Sequence, residues 1–512
     1  MKNLESGGTS IANKTSSYSL STSLDDTLAM FRQIFSNDGT LRIRVIENAK
    51  CSSIRCGLIF IDGMIDRNQI NEDVIRPITS YQFDESERSG TAELMDKIRK
   101  QVFNVSDVTD FTDLDEIIAA IISGKTVFLL DGYSGALSIS AQGWEIRAIS
   151  DPITETVTRG SREGFTESMQ VNLTLIRRRI QDSDLKFIFL QVGTRSNTQT
   201  CLCYLESLAS PDILKELQER LKKVEIDHIL DTGYIAELIR DEPYSPFETI
   251  GSTERPDTVV GKLMEGRIAL LIEGSPFALT LPYVFVENFQ TSEDYYMNFY
   301  FASFNRILRI FGAFLSFSIP AGYVALVTYS QEMVPTQLLL SIAKARMDVP
   351  FPTIVEALLM LTVFEILREA GSRIPTNVGQ AVSIVGALVL GQAAVDARIV
   401  SAPMVIVVGL TGITTLLNPK ITGPLIIIRF LLLCMASFMG IYGYFIGMLG
   451  LVVHLMSLRS FGVSYMIGVG SIRPQDIKDT LVRVPWWDMY LRPAVIGVRN
   501  MKRKSSRNKG RQ

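Results

Sequence analysis

The sequence predicts a two-part molecule: an N-terminal cytoplasmic α/β region of two subdomains, then an α-helical transmembrane domain of about four to six segments. Three observations predict it. Charged and apolar residues interleave at strand and helix spacing up to residue 305. Apolar residues dominate from Ile307 to Leu458. After Arg459 the chain turns polar and basic again. The overall composition, 47% hydrophobic over 512 residues, decides little, because soluble proteins reach about 45–50% apolar content. The net charge of −3 argues against a general nucleic-acid binder, which needs a basic face to neutralise phosphates.

Residues 1–22 are rich in Ser, Thr, Asn and Gly and read as a disordered tail. They hold no apolar run of the kind that directs secretion, so the region up to residue 300 is expected in the cytoplasm. The odd count of five cysteines does not suggest a disulfide framework, and the thiols read as reduced. The first subdomain is expected over 23–150. Ser23 and Asp26 open a helix whose apolar face is Leu24, Leu28, Phe31 and Phe35. Strands follow at Leu41–Ile46 and Cys56–Ile61, helices near 67–78, 92–103 and 112–122, then strands at Val127–Leu130, Ala136–Ser140 and Trp144–Ile149. The second subdomain is expected over 151–246. Phe165, Met169, Leu173, Ile176 and Ile180 mark one helix face, followed by strands Lys186–Val192 and Cys201–Leu205 and helices at 211–224 and 227–240. The run 241–246, with Pro243 and Pro246, reads as a linker. Residues 247–305 are expected to connect the soluble part to the membrane, with a helical pattern near 257–265, a strand pair at Ile268–Ile272 and Phe277–Val286, and a helix leading into the membrane.

The membrane domain is expected over 306–458. Ile307–Tyr329 meets the length of a spanning helix, about 20 residues, and Pro320 should kink it. Pro335–Met347 reads as an interfacial helix. Thr353–Ala370 is helical in pattern but charged, Thr376–Val395 and Val400–Leu417 read as spans, and Pro424–Leu458 permits one long helix or two spans broken near Gly440–Gly443. The basic tail 459–512 favours a cytoplasmic C-terminus, so crossings should be even in number. Either 353–370 is re-entrant and the long segment crosses once, or 353–370 crosses and the long segment crosses twice.

Few constellations carry chemistry. Gly124-Lys125-Thr126 resembles the end of a phosphate-binding loop, but the first glycine of that motif is missing and the triplet precedes a strand instead of following one. Two histidines, His228 and His454, leave little for a Ser/His/Asp triad or a His-rich metal site. No nucleophile, base and orienter cluster points to an enzyme, and no cofactor is implied. Arg177, Arg178 and Arg179 read as a solvated helix face or, alternatively, as a partner-docking patch. Charges in the apolar part say more, since an ionised side chain in hydrocarbon costs about 2.5–3.5 kcal/mol on insertion scales. Glu356, Glu365 and Glu369 are therefore candidates for a hydrated or pore-facing position. So are Gln380 and Ser383, on a small and polar stripe with Thr376, Ala387 and Gly391 whose other reading is close helix packing. No internal repeat is evident, which counts against a self-contained transporter.

The residues also carry a resemblance. RAISDPITETVTRGSREGFTESMQVNLTLIRRR (147–179), DTGYIAELIRDEPYSPF (231–247), EGRIALLIEGSPF (265–277), ILRIFGAFLSFSIPAGYVALVTY (307–329), FEILREAGSRIP (364–375) and GQAVSIVGALVLGQAAVDARIVS (379–401) resemble the A subunits of bacterial spore germinant receptors, the GerA family. TERPD (253–257), SEDYY (292–296), SFGVSYM (460–466), DIKDT (476–480) and PWW (485–487) extend the likeness. The resemblance implies a multi-pass protein of the spore inner membrane that works with a transporter-like B subunit and a lipoprotein C subunit. It implies self-association, as a pentamer, into an ion-releasing channel, with the germinant small molecule held by the B subunit. A sporulation-stage paralogue of the family and a non-conducting membrane scaffold are the alternatives.

Overall fold

The computed structural model describes residues 20–51, 54–83, 91–105, 107–143, 154–373, 389–467 and 479–489, with positions 152, 386, 491–492 and 500–503. The expected strand Trp144–Ile149, nearly all of the tail 1–22 and most of the span Thr376–Val395 lie outside the described residues.

The first soluble unit begins with helix α1 (Leu24–Ile34), whose N-cap Ser23 accepts from the Asp26 amide. Strands β1 (Leu41–Glu47) and β2 (Arg55–Ile61) follow. Helix α2 runs as Arg67–Ile70, a π-turn over Asn71–Ile75, and Arg76–Ser80. Helix α3 is Thr91–Lys97 continued by Ile98–Val102. Then come β3 (Val108–Phe111), α4 (Leu114–Ile122), β4 (Thr126–Leu130) and β5 (Ala136–Ile139). The sheet is antiparallel in the order β1-β2-β4-β5-β3. Every residue of β4 is buried, because helices cover both faces of the sheet. Leu58, Phe128 and Leu137 pack with Val74, Ile78 and Ile98 on one side. Ile59, Val127 and Leu129 pack with Phe31 and Ile117 on the other.

The second unit repeats this plan. Helix α5 (Met169–Arg179), strands β6 (Leu185–Val192) and β7 (Thr198–Leu205), and helices α6 (Pro211–Lys222) and α7 (Thr232–Ile239) come first. Strand β8 (Gly251–Thr253), helix α8 (Pro256–Leu263) and strands β9 (Ile268–Ile272) and β10 (Ala278–Leu281) complete it. The order β6-β7-β9-β10-β8 is that of the first sheet, strand for strand. The absence of a repeat read from the sequence is therefore corrected. The match is even legible in one stretch: GKTVFLLDGYSGALSI (124–139) lies over GRIALLIEGSPFALTL (266–281). Gly124 and Gly266 end α4 and α8 at φ 87° and 83°, and Gly132 and Gly274 turn the hairpins at φ 87° and 88°. This left-handed region is where glycine is at no steric disadvantage. Gly124 is thus a helix-ending glycine and not part of a phosphate loop. The repeat also moves the boundary drawn at 246: three of the five strands of the second sheet come from 251–281, in what reads by sequence as a connector. Strand β8 is only three residues long, too short to show an alternating pattern.

Beyond the sheets, α9 (Phe299–Thr328) leaves the second unit. Then come α10 (Thr336–Arg346), α11 (Thr353–Ser372), a helical stretch at 389–396, α12 (Ala402–Leu416) and α13 (Thr422–Ser457). Among the described residues, α9 and α13 are long and apolar enough to cross a membrane. Pro320 lies inside α9, which continues past it to Thr328. Helix α13 is broken at Gly440 (φ 59°, ψ −139°), and its halves fold back on each other. A Cβ on Gly447 would lie 2.4 Å from the Leu432 side chain, and one on Gly443 would lie 2.1 Å from the Met435 carbonyl. A straight helix would hold Leu432 and Gly447 about 22 Å apart. At the tip, Tyr329 after α9 sits against Gly440. At the open end, Leu425 and Leu455 share one apolar cluster with Phe247 of the soluble side.

The chain after α13 is not a free tail where it is described. Arg459–Ser460 and Val463–Ser464 form a small hairpin, β11 and β12. Phe461 enters the core of the second unit, and Ser460 Oγ donates to the Thr249 carbonyl (2.6 Å) while accepting from the Tyr283 amide (3.0 Å).

Candidate functional site

The helix bundle is tied at one polar point, Arg429. This residue lies in the first half of α13 and is fully buried. Its Nε donates to the Ser316 carbonyl (2.8 Å), Nη1 to Glu365 Oε1 (2.8 Å) and Nη2 to Thr415 Oγ1 (2.6 Å). The three acceptors stand on α9, α11 and α12, so one side chain joins four helical segments. The Ser316 carbonyl is available because of Pro320. Proline has no N–H to donate to the carbonyl four residues back, and that carbonyl would otherwise be an orphan in apolar surroundings. Thr415 donates its own hydroxyl proton to the Thr411 carbonyl (2.8 Å), which leaves oxygen lone pairs for Arg429. Glu365 is also held by Arg368, one turn on (2.7 Å). A buried ion is tolerated only with such complete partnering.

Glu356 makes a second knot at the other end of the bundle. It is fully buried. Its Oε2 accepts from the Ser401 amide (3.1 Å) and hydroxyl (2.8 Å), and Ser401 is the N-cap of α12. A carboxylate from α11 thus caps α12, where the helix dipole favours negative charge. Arg346 at the end of α10 lies 3.5 Å away. Glu369 differs, being half-exposed and paired with Arg373 (2.7 Å). Gln380 and Ser383 lie outside the described residues. Glu365 is therefore spent on contacts between helices of the same chain, while Glu356 bonds Ser401 through Oε2 and keeps Oε1 buried without a hydrogen bond. Sequence reasoning passed over Arg429, although a single charge inside the run from Pro424 to Leu458 is itself a signal.

The root of α9 carries a third cluster. Arg306, fully buried, pairs with Asp294 (3.3 Å) and Asp479 (2.9 Å) and donates to the carbonyls of Asp479 (2.7 Å) and Thr480 (3.2 Å). Arg309 pairs with Asp294 and donates to the Phe289 carbonyl. Nearby, Glu287 takes Lys262 (2.5 Å) and Arg267 (2.5 Å). Burial pushes the Glu287 carboxyl up, but Arg267, Lys262 and the Val284 amide outweigh it and hold it below the usual range.

The arginine triplet is divided among pairs within the chain. Arg177 is buried and pairs with Asp38 (2.5 Å) on the other soluble unit, with its guanidinium 4.7 Å from the centre of the Phe187 ring. The Gly39 amide donates to the Phe187 carbonyl (2.9 Å) beside it. Arg178 and Arg179 both pair with Glu163. Arg177 is thus a bolt between the two units, hidden from sequence reasoning because its partner lies 139 positions away. Of the five cysteines, four are buried and Cys434 is exposed, and burial pushes the Cys56 thiol up to about 12.

Similarity to known proteins extends over most of this architecture. The sequence model of the Bacillus/Clostridium GerA spore germination protein matches residues 29–495. The spore germination protein KA of Bacillus subtilis is 43% identical over 93% of this chain and 87% of its own length. The uncharacterized membrane protein YfkQ of the same organism is 43% identical over 86% of this chain and 85% of its own. The crystal structure of the N-terminal domain of the A subunit of the Bacillus megaterium spore germinant receptor GerK3 is 29% identical, with a TM-score of 0.42 over 52% of this chain and 98% of that one. On the match across residues 29–495, the chain belongs to the GerA family of spore germination proteins.

Proposed function

We propose that this chain is the A-type subunit of a nutrient germinant receptor in the inner membrane of the spore. It acts with a transporter-like B subunit, which holds the germinant, and a lipoprotein C subunit, and it self-associates, as a pentamer, into the assembly that releases ions. The observation that carries the reading is the family match over nearly the whole chain, joined by relatives named as spore germination proteins. The chain crosses the membrane an even number of times: α9 outward, α11 back, the 376–395 run outward, α12 back, and the two halves of α13 outward and back. Supporting this, Tyr329 meets the Gly440 tip, Asn418 after α12 donates to the Arg309 carbonyl near the root of α9 (2.7 Å), and Lys420 pairs with Glu155 of the soluble part (2.6 Å). Each half of α13 approaches the roughly 17-residue minimum for a span.

In this reading the Arg429 knot fixes the resting arrangement of the helices, and Glu356 and Glu365 do not line the pore. The residues left for a conducting wall are Gln380 and Ser383, with Glu369 at one end. The test is a spore whose sole receptor contains this chain. Nutrient-triggered ion release that is lost when the chain is deleted and restored by complementation is the expected result. Release that continues without the chain would instead favour a non-conducting scaffold.

A further inference from the structure

The short segment Asp479–Met489 lies against the root of α9. Arg306 holds Asp479 in a buried ion pair, and the Arg483 amide donates to Ser303 Oγ (3.1 Å). These contacts fix Trp486 and Trp487 beside the first turns of α9. The Trp486 indole N–H donates to the Tyr295 carbonyl (3.3 Å), and the Trp487 ring meets Phe299 edge-on, centroids 5.7 Å apart. Both indoles nevertheless leave about half their surface open, 50% and 48%. Tyr300, Phe301 and Phe304 on α9 are also exposed, at 74%, 52% and 58%.

This aromatic face runs without a break into the outward apolar face of α9, where Ile307, Leu308 and Phe311 are exposed. A soluble protein rarely leaves so much contiguous apolar surface in water. At the boundary of a bilayer, tryptophan and tyrosine are enriched because their rings are amphipathic. We infer that Trp486 and Trp487, with Tyr300, Phe301 and Phe304, form an anchor seated among phospholipid headgroups on the side of the soluble units. The inference rests on α9 being a membrane span. It makes the segment after α13 a membrane contact that sets the depth of α9.

Full-length protein carrying Trp144→Phe keeps these two tryptophans alone, since the chain has three. It is placed in phosphatidylcholine–phosphatidylglycerol vesicles. Lipids bearing a nitroxide on the headgroup are expected to lower tryptophan emission about twofold, while aqueous iodide has little effect. Trp486→Phe and Trp487→Phe should each remove part of that response. Quenching by iodide alone would overturn the anchor by placing the rings in water. Quenching by neither would overturn it by placing them under a second copy or another subunit. A fluorophore on Cys434, the exposed cysteine of α13, reads the span separately: its quenching by brominated acyl chains shows that the bundle is in the bilayer, and its failure would sink the span reading itself.

Discussion

Arg429 holds three acceptors, and each bond has a separate cause in the sequence. Removing one partner of a buried ion pair typically costs about 3–5 kcal/mol, because the other charge is left unpaired. Arg429→Gln should therefore lower the thermal stability of the purified full-length chain sharply. Pro320→Ala should couple to it. The alanine restores an N–H that can bond Ser316 within α9, so the two changes together should cost less than their sum, by about 0.5–3 kcal/mol. Strict additivity in that cycle would mean the Ser316 bond does not depend on Pro320. Arg177→Ala should cost a similar amount, because it strands Asp38 at the junction of the soluble units. Glu287 adds a pH dependence. Its carboxyl is held below the ordinary range in the folded chain. The stability it contributes is complete above the ordinary carboxylate range and is lost as pH falls through the lowered folded value. Glu287→Gln should flatten the acid limb of an unfolding-versus-pH profile, and an unchanged limb would remove Glu287 from the account. The residue scale is also where sequence reasoning fell shortest. The lone Arg429 was readable as a buried charge, but its acceptors, and the Asp38 partner of Arg177, sit far away in the chain and become visible only when the helices pack.

The elements were legible to very different degrees. The Ser23 cap, the apolar face of α1 and the buried runs of β4 and β9 follow directly from local pattern. Helix α5 begins at Met169, four residues after the first apolar position of its stripe, because Phe165 packs in the core from extended chain. The long apolar run after Pro424 permitted one helix or two, and pattern alone could not choose, since both present the same composition to lipid. Geometry decides for a hairpin, and Gly440 and Gly443 are its requirement. A side chain at Gly440 would be in a strained backbone region and 2.8 Å from the Tyr329 Cβ. Gly443→Ala would drive a methyl into the Met435 carbonyl. That substitution should abolish accumulation of folded protein, while Gly450→Ala, which meets nothing within 4 Å, should be tolerated. Cysteines at 432 and 447 should cross-link under mild oxidation. A straight α13 would keep them about 22 Å apart and unlinked.

At the scale of the whole molecule, a duplicated α/β unit and an apolar bundle are joined through few but well-buried contacts. Arg177 bolts the two units together. Arg306 ties the root of α9 to Asp294 and Asp479, Glu287 ties the turn before α9 to Lys262 and Arg267 of the second unit, and the β11–β12 hairpin ties the end of α13 to the second unit. His454 at the end of α13 meets Ser245 (3.0 Å), in the run that local composition marks as a linker. The soluble part is therefore joined directly to the helix roots. Under the proposed function, such joints would let a receptor subunit pass a signal from the soluble units to the helices, with the Arg429–Glu365 pair as the proposed control point.

The most direct measurement is nutrient-triggered ion release from spores whose sole receptor carries Glu365→Gln, normalised to the abundance of the chain. A changed rate of release at normal abundance, with ion preference preserved, is expected, because in the proposed arrangement Glu365 holds helices together and lies off the conducting wall. Unchanged release would contradict the role of the knot in gating, and an altered ion preference would put Glu365 on the conducting wall and contradict its place between the helices.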